Sequence, residues 1–233
     1  MGRRFAWTSG FSLALGLFAV TPVAAQQSIN LSAGYFVVRG EDARVDGDVL
    51  VENRHLFLFD FNDFNSASLG IEWLLPIGDY LEAGAGLHFT TRAVDTIYDD
   101  YVRPDGSEIE QQLKLRNVPL SATIRILPFG RHVPFQPYVG GGIGINFWRY
   151  AETGDFVDFS VPGRPVFRDS FVDSGTAVGP VAVFGAKFLV GNVTVGGEVR
   201  YQKAEGDLDE RDFLAPKIDL GGFHYMGTVG IRF

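Results

Sequence analysis

The chain has 233 residues, a formal net charge of −8 and no cysteine. The negative charge argues against a nucleic-acid partner, and the absence of cysteine excludes a disulfide scaffold, a thiolate metal site and a cysteine nucleophile. The composition includes 29 Gly and 21 Phe but only 2 Met. This balance is typical of a β-rich chain rather than a helical one.

The N-terminal residues predict a cleaved signal peptide. Arg3 and Arg4 precede an apolar run at 11–20, and Pro22 is followed by small residues up to Ala25. Charge, apolar core and small residues in this order are the pattern of an export signal, and the apolar run is too short to span a bilayer as a helix. We therefore expect cleavage after Ala25 and a mature domain at 26–233.

Apolar and polar residues alternate in eight segments of the mature chain. The segments lie at 29–38, 67–75, 81–91, 113–126, 138–148, 178–190, 193–202 and 220–233. Alternating segments of about ten residues separated by turns are the signature of a membrane barrel. We therefore predict an all-β fold, an eight-stranded antiparallel up-and-down transmembrane β-barrel.

The connections between these segments alternate in length. Short ones at 76–80, 128–136 and 191–192 are expected on the inner side of the membrane. Long ones at 40–65, 92–112, 150–175 and 203–218 are expected outside, as in outer-membrane barrels.

Three details of the strand pattern are ambiguous. The alternation loses its phase near Leu115, which suggests a bulge, and Pro119 is read as a bulge or rim feature because proline cannot donate to a strand ladder. Residues 55–61 could form an extra hairpin and raise the strand count to ten.

Charged residues are segregated along the chain. All but five of the 28 acidic residues lie in the four long connections. Seven charged residues fall on the face predicted to line the lumen: Glu72, Glu82, Arg125, Lys187, Glu198, Arg200 and Arg232. The interior of an eight-stranded barrel is just wide enough for side chains, and buried charges must be paired. We predict a packed salt-bridge network, with a conducting or catalytic polar core as the alternative.

The first long connection is rich in phenylalanine, with Phe57, Phe59, Phe61 and Phe64. We expect these rings to pack on each other and stiffen the loop. The alternative is an exposed interaction site for a partner or a hydrophobic ligand, because exposed apolar surface often marks such sites.

No catalytic or metal-binding residues are predicted. His88 and His224 point into the lumen, and Thr90 lies on the same face as His88, but no acid is evident near them. The acid-rich stretches at 46–48 and 207–210 lack the spacing of a calcium loop. We therefore expect a protein that is not an enzyme and has neither a metal nor another cofactor.

Three stretches resemble known sequences. The C-terminal residues Tyr225, Val229, Ile231 and Phe233 resemble the signal read by the outer-membrane assembly machinery. The stretches 137–144 and 198–201 resemble segments of OmpA-like, OmpX-like and OmpW-like outer-membrane β-barrels. The resemblance implies a location in the outer membrane of a Gram-negative cell, and we expect a monomer. Its implied partners are outer-membrane lipid, lipopolysaccharide, the assembly machinery and periplasmic chaperones.

The resemblance implies fold and location but not function. The favoured hypothesis is a non-enzymatic barrel with a structural or surface-interaction role, a packed polar lumen and acidic outer loops. One alternative is a narrow, porin-like channel of the OmpW type for small or hydrophobic solutes, and another is a lipid-modifying enzyme.

Overall fold

The computed structural model describes residues 27–233, so the predicted signal peptide lies outside the described residues. Eight strands close into one antiparallel ring in the order β1-β2-β3-β4-β5-β6-β7-β10, which confirms the predicted fold class. The barrel strands are β1 (Ser28–Val38), β2 (Ser66–Ile77), β3 (Leu81–Val102), β4 (Glu108–Ile126), β5 (Phe135–Val157), β6 (Val166–Val190), β7 (Val193–Gln202) and β10 (Gly222–Arg232).

An apolar belt surrounds the outside of the barrel. On β4, Leu120, Ile124 and Ile126 are 43–51% exposed, whereas Arg125 between them is 1% exposed and faces inward. Exposed aromatic side chains border the belt on both sides: Trp73, Tyr80, Phe129, Phe135 and Phe188 toward the short turns, and Tyr35, Phe89, Phe147, Phe223 and Tyr225 toward the long connections. An apolar band flanked by aromatic residues is the lipid-facing surface of membrane barrels. Within residues 27–233, no helix is both long and apolar enough to cross a membrane.

The strand phases within the belt are as predicted. Lys187 is buried while Phe184 and Phe188 on the same strand are exposed, and Glu72, Glu82 and the other charged belt residues of β2–β7 face the lumen. For Glu72 and Glu82 the predicted phase followed from the alternation, because successive strand side chains point to opposite faces. On β6 the charge of Lys187 decided the predicted phase.

Four strands continue far beyond the belt, which corrects the boundaries of two predicted loops. Most of 92–112 and 150–175 is strand, and the connections that remain there are 103–107 and 158–165. In this extension the hydrophobic phase is inverted: Leu113 and Leu115 face inward and are buried, while Lys114 and Arg116 face outward. The predicted bulge near Leu115 is wrong, because β4 keeps one register with β3 and β5 there. The same alternate residues face inward along the whole strand, and only the surroundings of the two faces change.

Pro119 also departs from its prediction, since it lies within a regular strand and not at a bulge or rim. It pairs with Asn146 on β5, but the β3–β4 ladder is interrupted between Leu87–Leu120 and Thr90–Asn117 without any change of register. Proline has no N–H to donate, so the ladder loses local pairing and keeps its alignment.

The first connection, residues 39–65, folds into the mouth of the barrel as a plug, here called the cork. It does not add a ninth and tenth strand to the barrel. It contains helix α1 (Val49–Asn53) and 3-10 turns at Glu41–Ala43 and Phe61–Phe64. Residues 55–61 contribute a single bridge, from Phe57 to Tyr98. The last connection adds a two-stranded ribbon of β8 (Glu205–Asp207) and β9 (Lys217–Asp219).

Candidate functional site

A ring of two arginines and two glutamates crosses the lumen at the level of the belt. Arg125 Nη2 donates to Glu72 Oε2 and, at 2.7 Å, to Glu198 Oε2. Arg200 Nη2 donates to Glu72 Oε1 at 2.9 Å and to Glu198 Oε1 at 3.0 Å. Each carboxylate thus accepts hydrogen bonds from both guanidinium groups. This charge pairing offsets the desolvation cost of burying all four side chains.

A separate ion pair lies beside this ring. Lys187 Nζ donates to both carboxylate oxygens of Glu82 at 2.7 Å. Tyr138 lies between the ring and the ion pair. Its hydroxyl donates to Glu198 at 2.9 Å, and its ring centroid lies 4.6 Å from the Arg125 guanidinium and 6.0 Å from Lys187 Nζ. Six of the seven predicted lumen charges are therefore paired.

Arg232 does not join the network, contrary to its predicted role. It is half-buried at the end of β10, and within residues 27–233 no carboxylate lies within 4.0 Å of it. Its face was predicted correctly, but it lies at the end of the barrel, where water can solvate a guanidinium group.

Two histidines and a serine lie in the lumen between the ionic ring and the cork. Ser68 Oγ and His224 Nδ1 are 2.8 Å apart, and the rings of His88 and His224 are 5.8 Å apart. Their strands, β2 and β10, are separated by β1, so sequence spacing gave no sign of the Ser68–His224 pair. Thr90, considered as a partner of His88, donates instead to the Asn117 carbonyl at 3.3 Å.

The Ser68–His224 pair lacks the other parts of a hydrolase site. A serine nucleophile requires a base oriented by a third group, and the described residues provide no acid within hydrogen-bond distance of His224. Both side chains are buried beneath the cork. Within residues 27–233, no group of three or more His, Asp or Glu side chains is arranged to hold a metal ion.

The cork closes the mouth with apolar side chains. Val49 and Leu50 of α1 are fully buried, in a cluster that includes Leu113 and Tyr150 from the barrel wall. Phe57, Phe61 and Phe64 are also buried there, and Phe59 packs edge-on against Phe61 and Phe64. Phe59, Phe61 and Phe64 therefore pack on each other, as favoured, whereas Phe57 packs on Tyr98 of the barrel wall, which was not foreseen.

Polar contacts attach the cork at two points. Asn53 Nδ2 donates to Tyr150 Oη at 3.0 Å and to Glu152 Oε1 at 2.6 Å, and Tyr150 donates to the same oxygen at 2.9 Å. Asp219 forms the second point: it accepts from Arg39 at 2.9 Å and from the Val45 N–H at 3.0 Å. Asp219 lies at the end of β9, so it links the first connection to the last.

Two carboxylates of the cork region are buried at a cost. Burial raises the pKa of Glu152. The hydrogen bonds from Asn53 and Tyr150 lower this pKa but offset only part of the rise. Burial likewise raises the pKa of Asp48 despite the neighbouring Arg44, which pairs with it. Both groups lie beyond the belt. Because the pKa of each is raised in the folded protein, protonation of these carboxylates favours the closed arrangement of the cork.

The residues of the expected assembly signal lie on the outside of β10 and just after it. Tyr225, Val229, Ile231 and Phe233 are each at least half exposed and point away from the lumen. They form part of the apolar belt, and their recognition during assembly stays a prediction.

Among known proteins, similarity to this chain was found for solved structures. No family model matches the chain, and no curated protein matches it. Neisserial surface protein A is 14% identical, with 89% of this chain and 97% of that chain covered and a TM-score of 0.47. A major outer membrane protein from Thermus thermophilus is 15% identical, with 90% and 100% covered and a TM-score of 0.49. Ail, the attachment invasion locus protein of Yersinia pestis, is 14% identical, with 90% and 99% covered and a TM-score of 0.43.

Proposed function

We propose that the chain is a non-enzymatic outer-membrane β-barrel with a structural or surface-interaction role. The single observation that supports this most is that its lumen is closed twice. The ionic ring fills the lumen at the belt, and the cork fills the mouth with a hydrophobic cluster. The belt itself supports the membrane location, because so much exposed apolar surface is unfavourable in water.

The double closure disfavours the channel hypothesis. A conduit requires a gap beside Glu72, Glu82, Arg125 and Arg200, but these groups are at most 7% exposed and bond directly to one another or to Lys187 and Glu198. The enzyme hypothesis is disfavoured because, within residues 27–233, no acid lies within hydrogen-bond distance of His224, and both Ser68 and His224 are buried.

The extended strands support a surface role. On β5, Val157 lies ten positions after Phe147 at the belt, which corresponds to roughly 34 Å along the strand at about 3.4 Å per residue. The extension is a continuous sheet, since β5 and β6 pair without a break from Phe135–Phe188 to Val157–Val166. A continuous hydrogen-bonded wall of this kind can present a surface outside the membrane.

Planar-bilayer recording of the refolded protein tests this proposal. We expect no discrete openings, together with the heat-modifiable migration of a folded barrel. A variant with Arg125, Arg200, Glu72 and Glu198 all replaced by Ala and without residues 43–64 serves as an open control, because it removes both closures and leaves no carboxylate of the ring unpaired. Steady single-channel openings in the unaltered protein would refute the closed lumen.

A further inference from the structure

Two arginines face each other on the outside of the barrel just beyond the apolar belt. Arg116 on β4 is directly paired with Arg149 on β5. They form the first outward-facing row after Val118 and Phe147, and Lys114 lies in the next row opposite Ala151. All three basic side chains are exposed.

This arrangement is unfavourable unless an anion is present. Like charges directly opposite each other destabilise an antiparallel pair. Within residues 27–233, none of the three has a carboxylate within 4.0 Å. The nearest outward-facing acid on β3, Asp95, lies in the third row and accepts a hydrogen bond from Gln112 at 2.8 Å. A concentration of unpaired positive charge is notable on a chain whose net charge is −8.

The three basic residues border a groove on the outer wall with a volume of about 550 Å³. Phe89 and Val172 supply apolar lining, and Thr91, Thr153 and Ser170 supply hydroxyl groups. Phe89 belongs to the aromatic border of the belt, so the groove begins where the lipid-facing surface ends. A ligand in it could place an anionic group on the arginines and an apolar part against the belt.

We propose that Lys114, Arg116 and Arg149 bind the phosphate groups of a phosphorylated glycolipid, lipopolysaccharide, in the outer leaflet. This inference rests on the proposed membrane location. Guanidinium groups bind phosphate oxygens in a bidentate manner, and a phosphate between Arg116 and Arg149 relieves their repulsion. The long connections lie on the same side of the belt as the groove, and this side faces outward in outer-membrane barrels. The acyl chains then lie along the belt below Phe89 and Phe147.

The test compares the full mature chain in phosphatidylcholine bilayers with and without bisphosphorylated lipid A. The test variant combines Arg116→Gln and Arg149→Gln. The control variant combines Arg164→Gln and Arg168→Gln, which removes the same charge from the tip of the β5–β6 extension. Bound lipid A is counted by native mass spectrometry, and Tm is measured in both bilayers. We expect lipid A to bind the test variant roughly tenfold or more weakly than the parent chain and the control.

The sign of the stability change adds a second readout. Without lipid A, the test variant should be as stable as the parent or more stable, because a like-charge pair is removed. With lipid A, only the parent and the control should gain Tm. Equal binding by the test variant, or equal binding of dephosphorylated lipid A, overturns the site. Inorganic phosphate that displaces lipid A and raises Tm as much as lipid A does overturns the lipid assignment.

Failure of the membrane proposal is distinguishable from failure of this site. A chain that does not insert into phosphatidylcholine bilayers at all contradicts the proposed location. A chain that inserts and stays folded, but does not distinguish lipid A from its dephosphorylated form, contradicts only the glycolipid site.

Discussion

Glu82 and Lys187 form a closed ion pair across the lumen, with Nζ 2.7 Å from both carboxylate oxygens. Their strands, β3 and β6, are not neighbours in the ring, so the bond spans the interior and does not follow one sheet face. Both side chains are at least 90% buried, so the loss of one partner leaves the other charge buried and uncompensated.

Replacement of either partner alone should therefore be costly. We expect Lys187→Met to lower the free energy of unfolding by about 3–5 kcal/mol, because it leaves an uncompensated buried carboxylate. The double variant Lys187→Met with Glu82→Met should recover most of that loss. Denaturant-induced unfolding in lipid vesicles measures both. Equal losses in the single and double variants would show that the pairing of these charges is unimportant.

The belt makes a prediction about the outer surface. Leu120→Arg places a charge in the middle of the belt and should lower the free energy of unfolding in bilayers by about 2–4 kcal/mol. Gln112→Arg, on the same face of β4 but in the extension, is the matched control and should be nearly neutral. The measurement is the same unfolding experiment in vesicles. If the two variants behave alike, the belt does not mark the bilayer.

The cork should close more firmly as pH falls. Because burial raises the pKa of Glu152 in the folded state, the folded protein binds more protons than the unfolded chain between the two pKa values. The stability of the closed mouth is then highest below the unfolded pKa and falls as pH rises through the folded pKa. Amide hydrogen exchange of residues 49–57, corrected for intrinsic rates, should show protection that decreases toward neutral pH.

Glu152→Gln tests whether this carboxylate is the group responsible. The amide keeps an oxygen that can accept from Asn53 and Tyr150 but removes the titration. We expect greater protection of residues 49–57 at neutral pH and a weaker dependence on pH, with Asp48 accounting for the remainder. An unchanged pH profile would assign the effect elsewhere.

The two closures should act independently. Deletion of residues 43–64 removes the cork and should leave the protein silent in planar bilayers, because the ring of Arg125, Arg200, Glu72 and Glu198 still fills the lumen. The same deletion should lower Tm, since it exposes the apolar inner wall around Leu113 and Tyr150. Openings after this deletion alone would mean that the ring does not seal.

The sequence by itself indicated eight strands, with ten as an open alternative, and it gave the phase of most strands within the belt and the identity of the lumen charges. These features are local, because side chains of a lipid-facing strand point alternately to the lipid and to the lumen. A charged residue between two apolar, lipid-facing residues must therefore face the lumen. Arg125 between Ile124 and Ile126 is the clearest case.

Only the tertiary structure decided how far the strands extend and what fills the mouth. Beyond the belt, water lies outside the wall and the cork lies inside it, so Leu113 and Leu115 face inward and the apolar phase is inverted. In the sequence of a single strand, an inversion of the apolar face without a register shift looks the same as a bulge. The Ser68–His224 pair and the facing of Arg116 and Arg149 likewise depend on which strands the closed ring brings together, because their partners are distant in sequence.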